Sequence, residues 1–412
     1  MRTFRILFLA AALTVPSLHA QSPEPAAWEP LFLGFGTEPE MDFGGRTVMS
    51  LDSLISRSFS RIGDVGARHP GLAPVWEFPA GAAVLLLQHE VGGHGGRARE
   101  FGLSPSYSFG YDLSAATGTR RPPRTNEENS LLAAGGVEAD GVMAHRTLLD
   151  LLRPEGADGA KVPLAVMAKL DLTVYVASMK NPDRGQKLVD QYRDGNDMAY
   201  YLFSRQAQRQ RADPTSIWNG TYKADLDDPL LGGTWDDART TALWNLLDPL
   251  MVGAVVNYFR EHVLGGEVRV HAPVLRLRDG LGVTIGTRGA LGPQEVSRFL
   301  DLHAATRRGV LTVYVRDLDS SVDRTYGAGA GVHGLELRGG LELGLAADAW
   351  DEPDSQERRS GGRGWNATAE VDAHLGERWG LAAKIGSKSD GFFPGLPLAD
   401  GVYFGFGVRA AL

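Results

Sequence analysis

After Gly265 the apolar periodicity of this chain changes from about 3.6 residues to 2, so one molecule must accommodate a helical part and a strand part. Upstream, Ala80–Phe101, Glu127–Leu152, Arg184–Arg211 and Trp235–Leu264 repeat apolar residues at helical spacing, and Pro163, Pro182, Pro214 and Pro229 punctuate them. Residues 21–72 read as irregular, with one short helix near Val48–Phe59. Downstream, Leu341, Leu343 and Leu345 alternate with Glu342 and Gly344, and Trp365–Leu375 and Val402–Leu412 alternate in the same way.

Nine strands are predicted between Glu267 and Leu412, joined by short turns alternating with longer loops, which is the pattern of an outer-membrane β-barrel. Trp350, Trp365, Trp379, Tyr403 and Phe404 fall near strand ends, where an interfacial girdle would sit. A soluble β-sandwich alternates identically with its apolar face inward and is the competing architecture. Nine is odd where single-chain bacterial barrels are even, so one strand is missed or miscounted. In a barrel, Leu343 and Ala369 take the lipid face, where Lys should destabilise, and Glu370 takes the lumen, where Lys should be tolerated. The expected fold is therefore α+β and multidomain: a helical domain at 73–265 followed by an antiparallel barrel-like or sandwich domain at 266–412.

Arg2, Arg5, the apolar run Ile6–Leu13, Pro16 and the Ala20–Gln21 junction together predict a cleaved signal peptide at 1–20. Export accords with the absence of cysteine, which also removes thiolate metal sites and cysteine nucleophiles. The net charge of −8 argues against a nucleic-acid partner, whose phosphates demand clustered cations. An outer-membrane location with a periplasmic domain is expected, a soluble periplasmic or secreted protein being the alternative.

The chemistry concentrates in Gln88-His89-Glu90-Val91-Gly92-Gly93-His94-Gly95. Two histidines and a glutamate on one helix are how zinc peptidases present a metal and a general base. Their usual spacing is four residues, which leaves two side chains about 40° apart on an α-helix, whereas the five residues here leave about 140°. A π-bulge or a locally unwound turn would bring them back to one face, and Gly92-Gly93 is the pair best able to accommodate such a distortion. His89-Glu90-Val91-Gly92-Gly93-His94-Gly95 resembles the HExxxH motif of TldD-type metallopeptidases. The run on through Arg97-Ala98-Arg99-Glu100-Phe101-Gly102 is similar to the active-site helix of site-2-type proteases with one residue inserted. These resemblances imply a zincin-like site.

A catalytic zinc needs a third protein ligand. Leu131–Asp140 is a small-residue helix carrying two acids, and Glu138 is the expected ligand, completing a His-His-Glu set as in gluzincins, unless it forms a buried ion pair with Arg97 or Arg146. His145, two turns along the same face, is expected to donate to an oxyanion or to replace Glu138 as ligand, and Asp140 to orient a histidine from outside the ligand shell. The function so predicted is an exported Zn²⁺ hydrolase, a metallopeptidase with Glu90 as general base, acting on a peptide or an envelope polymer. Outer-membrane lipid is an expected partner of the barrel-like domain. The alternative is a non-enzymatic outer-membrane or periplasmic scaffold or barrel protein with structural histidines.

Overall fold

A computed structural model describes residues 31–61, 69–112, 114–179, 186–320, 323–338, 340–353, 362–376 and 378–410. The signal segment predicted at 1–20 lies outside the described residues, as does Leu412.

The fold is α+β, with ten of its strands in a single antiparallel sheet. They are β1 (Leu31–Gly36), β6 (Leu275–Arg278), β7 (Leu281–Leu291), β8 (Glu295–Thr306), β9 (Gly309–Ser320), β10 (Arg324–Glu336), β11 (Leu341–Glu352), β12 (Gly362–Leu375), β13 (Trp379–Lys388) and β14 (Gly401–Ala410). Strands β6 to β14 follow one another as neighbours, and β1 joins the far edge by pairing with β14, Leu31 opposite Ala410 and Gly36 opposite Gly405. The predicted nine strands are thus β6 to β14. The tenth comes from a stretch read as irregular. Among the described residues β1 and β6 are not paired, so the sheet is open. The hairpin β2 (Pro105–Phe109) and β3 (Ala115–Thr119) and the two-residue ladder β4 (Ala157–Asp158) with β5 (Arg269–Val270) stand apart from it.

The polarity of the sheet is inverted. Leu300, Val313, Leu345, Trp365, Ile385 and Phe404 are exposed on its outer face, whereas Asp301, His303, Asp348, Asn366, Glu370 and Asp372 are buried on its inner face. A soluble sandwich buries its apolar face, so this arrangement does not fit the sandwich alternative. Two of the predicted girdle residues point the other way. Trp350 packs inward on Phe393, with ring centroids 5.6 Å apart, and the Tyr403 hydroxyl donates to Asn366 at 2.7 Å.

The inner face is covered by helices, so the two predicted domains share one interior. Arg46 reaches Glu370 and Asp372 at 2.6 and 2.7 Å, Arg146 reaches Glu370 at 2.8 Å, and Lys384 reaches Glu40 at 2.6 Å. Glu370 is therefore no tolerant lumen position, because its carboxylate is held by two part-buried guanidinium groups.

Helix boundaries follow local chemistry. Asp213-Pro214, Asp228-Pro229 and Asp248-Pro249 each start a helix, the Asp carboxylate accepting from the amide two residues on at 2.9, 2.9 and 3.0 Å. The last pair divides the predicted Trp235–Leu264 helix into Pro229–Leu246 and Pro249–Asn257, the latter continuing as a π-turn over Tyr258–Val263. Arg184–Arg211 likewise divides at Gly195-Asn196 into Gln186–Arg193 and Asp197–Gln210. Met41–Arg61 forms a full helix where a short one was predicted, and Lys161–Ser178 is a helix that periodicity did not reveal.

Candidate metal centre

Ala73–Leu87 continues through Gln88–His94 into Gly95–Glu100, and the middle segment is a π-turn. The Gly95 amide donates to the Glu90 carbonyl five residues back, so residues five apart stack as residues four apart do in an α-helix. His89 and His94 thereby reach one face. Their rings meet edge-on with centroids 4.8 Å apart, and their Nε2 atoms are 3.1 Å apart.

The turn fits because its partner helix has no side chains at the crossing. A Cβ on Gly93 would lie 2.3 Å from the Gly135 carbonyl oxygen, and one on Gly136 would lie 2.2 Å from His89 Nε2. Gly135 and Gly136 belong to helix Asn126–Asp150, which begins at a Thr125 cap accepting from the Glu128 amide at 3.1 Å.

The third group at the histidines is Asp197. Its Oδ2 stands 3.3 Å from His89 Nε2 and 3.2 Å from His94 Nε2. It occupies the first turn of its helix, where the Asn196 side chain caps by accepting from the Ala199 amide at 3.0 Å and the helix dipole favours a negative charge. The Tyr175 hydroxyl lies 3.2 Å from His89 Nε2, its ring stacked on the imidazole at 5.6 Å.

The other ring nitrogens are already used. His89 Nδ1 faces Asp140 Oδ2 at 2.9 Å and Asp171 Oδ2 at 3.1 Å, and His94 Nδ1 faces the Leu132 carbonyl at 2.5 Å. A proton on each Nδ1 is donated to Asp140 Oδ2 and to the Leu132 carbonyl, leaving each Nε2 lone pair pointing at the shared space. Asp171 Oδ2 acts on His89 by charge and has no hydrogen-bond partner among the described residues. Burial opposes charge on both rings. Even so, Asp171 and Asp140 hold His89 well above the ordinary histidine range, and Asp197 raises His94. Burial lifts Asp140 to about 8 against its bond to His89, with Asp171 pushing in the same direction. The cluster therefore has a strong demand for positive charge.

A tetrahedral ion with bonds of 2.0–2.1 Å separates its ligand atoms by about 3.3–3.4 Å. The three distances among His89 Nε2, His94 Nε2 and Asp197 Oδ2 are 3.1, 3.2 and 3.3 Å. The residues fit a small divalent cation.

The remaining predicted site residues are placed as follows. Asp140 Oδ2 touches His89 Nδ1 at 2.9 Å, on the side of the ring away from His94 and Asp197. Glu138 does not join the histidines. Arg97 donates to both of its oxygens, 3.0 Å to Oε2 and 2.5 Å to Oε1, and the Gly395 amide adds a third bond at 2.7 Å. On one α-helix Glu138 lies about 200° from Asp140, so with Asp140 on His89 the glutamate must face away. His145, about 140° from Asp140, also points elsewhere. It lines a cavity of roughly 250 Å³ between its helix and the inner sheet face, its ring 6.3 Å from that of His303. Burial, then Arg288, holds His145 well below the ordinary range. Glu90 is buried beside the site, its carboxylate accepting from Thr117 Oγ1 of the β2–β3 hairpin at 2.7 Å and its charge acting on His94. Asp171, Tyr175 and Asp197 went unremarked in the sequence. Asp171 and Tyr175 lie on the unpredicted helix, four residues apart on one face.

No family model matches the chain, and no curated protein does. Among solved structures it is similar to an anion-selective porin from Comamonas acidovorans, at 15% identity and a TM-score of 0.21, over 32% of this chain and 45% of that one. The match thus spans less than half of the porin.

Proposed function

We propose that this chain is an outer-membrane metal-dependent hydrolase, with Zn²⁺ held by His89, His94 and Asp197 and the inverted sheet facing lipid. The observation that carries the metal assignment is the convergence of three donor atoms at tetrahedral spacing, two on buried histidines and one on half-buried Asp197, with both histidine Nδ1 atoms engaged by oxygen acceptors. A zinc ion in such a set supplies Lewis acidity and an acidified water. Glu90, whose carboxylate accepts from Thr117, would take a proton from water and return it to a leaving group. The Tyr175 hydroxyl faces the same space and is suited to donate to a developing oxyanion. Three carboxylates around two imidazoles also favour a divalent ion over a monovalent one. Peptides and amide-linked envelope polymers suit this chemistry, and the substrate class is best sought among them.

Glu90→Gln separates binding from chemistry. It keeps the acceptor for Thr117 and removes the base, so zinc content should remain and hydrolysis of a generic peptide pool should fall by about 10²–10⁴-fold. Unchanged turnover would remove Glu90 from the mechanism, and a wild-type protein that holds zinc without hydrolysing anything would favour a structural site.

The membrane assignment rests on the exposed apolar face. Leu345→Lys on the outer face of β11 should destabilise the folded protein in detergent or vesicles by about 2–4 kcal/mol, as a lysine near the bilayer midplane does. A change below about 0.5 kcal/mol would indicate that this face meets water.

A further inference from the structure

The open sheet leaves a seam between β1 and β6, and helices span it. Met41–Arg61 lies along β1, where Ser50 Oγ and Thr47 Oγ1 accept from the Phe32 and Gly34 amides at 3.0 and 2.9 Å. Ala73–Leu87 packs against Met41–Arg61. Next comes Pro249–Asn257 with its π-turn: the Tyr258 hydroxyl donates to Glu77 at 2.7 Å, and its ring meets Phe78 edge-on at 6.5 Å. Pro249–Asn257 then packs on β7, and Gly253 presses against Pro273, two residues before β6. The path from one sheet edge to the other is continuous.

The two outer helices of this path share the inverted polarity of the strands. From Leu72 to Leu87 the exposed residues are Leu72, Val75, Pro79, Ala83 and Leu87, three or four apart in one uncharged stripe, while Glu77 is buried. On the second helix Val252, Val256 and Phe259 are exposed, with Arg260 exposed beside them and paired to the buried Glu261 at 2.7 Å, while Asn257 is buried. The neighbouring helix Pro229–Leu246 differs in its middle, where Asp236, Arg239 and Thr240 are exposed, ahead of the exposed Leu243 and Leu246. The stripe from Leu72 to Leu87 is about 22 Å long at 1.5 Å per residue. The apolar band of membrane barrels is about 25 Å tall. Among the described residues, the helix that contains this stripe, Pro70–Glu100, is also long and apolar enough to cross a membrane.

We propose that these two helices complete the wall of the barrel, and that their exposed stripe meets membrane hydrocarbon in continuity with the outer face of the sheet. The proposal rests on the membrane reading of the sheet. It makes the segment carrying His89 and His94 a direct extension of a lipid-facing helix, so the metal centre would sit just beyond the end of the seam.

Because the chain has no cysteine, single cysteines can be introduced at Val75, Val256, Leu345 and Arg239 and each spin-labelled. All four positions are exposed, at 68, 49, 44 and 55%, so the labels need displace no core residue. In phospholipid vesicles the Val75 and Val256 labels should match the Leu345 label, relaxed severalfold more by oxygen than by a neutral nickel chelate. The Arg239 label should show the reverse. Nickel access at Val75 and Val256 with Leu345 protected would overturn the helical wall while sparing the lipid-facing sheet. Protection of Val75 and Val256 from both reagents would also overturn it, since protein would then cover the stripe. Nickel access at Leu345 would remove the membrane reading itself.

Discussion

Gly136→Ala is expected to abolish stoichiometric metal binding although it changes none of the proposed ligands. The added Cβ would lie 2.2 Å from His89 Nε2 and 2.3 Å from Cε1, inside the space that a metal and its ligand require. The backbone cannot yield easily, because Gly93 on the facing turn already leaves no room for a Cβ against Gly135. The imidazole must therefore move, and affinity should fall beyond the ten- to hundredfold typical of changes outside the ligand shell. Gly141→Ala on the same helix is the control. Its Cβ meets nothing within 4 Å, so zinc content should be unchanged and stability should rise slightly, alanine being the better helix former by about 1 kcal/mol. Equal zinc in both variants, measured by elemental analysis, would mean that the helix crossing does not shape the site.

Glu370→Lys should be the most damaging single change on the inner face of the sheet. Glu370 accepts from Arg46 at 2.6 Å and from Arg146 at 2.8 and 2.9 Å. Removing the acid leaves two part-buried guanidinium groups without their main counter-charge, a loss approaching the ~3–5 kcal/mol of a broken buried pair, and lysine adds a third cation. The urea midpoint should drop further than for Leu345→Lys on the outer face. This order is the opposite of the one expected from alternation alone. A Glu370→Lys protein as stable as wild type would mean that the helices do not pack against the sheet as described.

The legible features were those with short sequence range. Alternation marked nine strands in the region of β6 to β14 and assigned the two faces of β11, β12 and β14, and the five-residue histidine spacing with Gly92-Gly93 admitted the π-turn that Gln88–His94 forms. β1 was missed because it holds only six residues, two of them glycine, and its partner β14 lies at the other end of the chain. Lys161–Ser178 is illegible in the pattern because Pro163 reads as a break, although proline is well tolerated in the first turn of a helix. Asp171 and Tyr175 were lost with it. Asp197 carried no local signal, standing 108 residues from His89 at a helix start that periodicity had smoothed over. Glu138 pairs with Arg97, the alternative that its buried helix position left open. It and Asp140 lie about 200° apart on one helix, so one helix could not aim both at the same histidine. The Asp248-Pro249 pair was an equally legible break inside Trp235–Leu264.

Metal content across three proteins tests the central assignment most directly. The wild-type protein, purified from zinc-supplemented cells, should contain about one zinc per chain by elemental analysis. Asp197→Ala should contain essentially none, because it removes one of three ligands. Glu138→Gln should retain the ion, since Glu138 serves Arg97 rather than the histidines. Zinc lost from Glu138→Gln and kept in Asp197→Ala, or a wild-type protein that binds no divalent ion, would contradict the His89–His94–Asp197 centre.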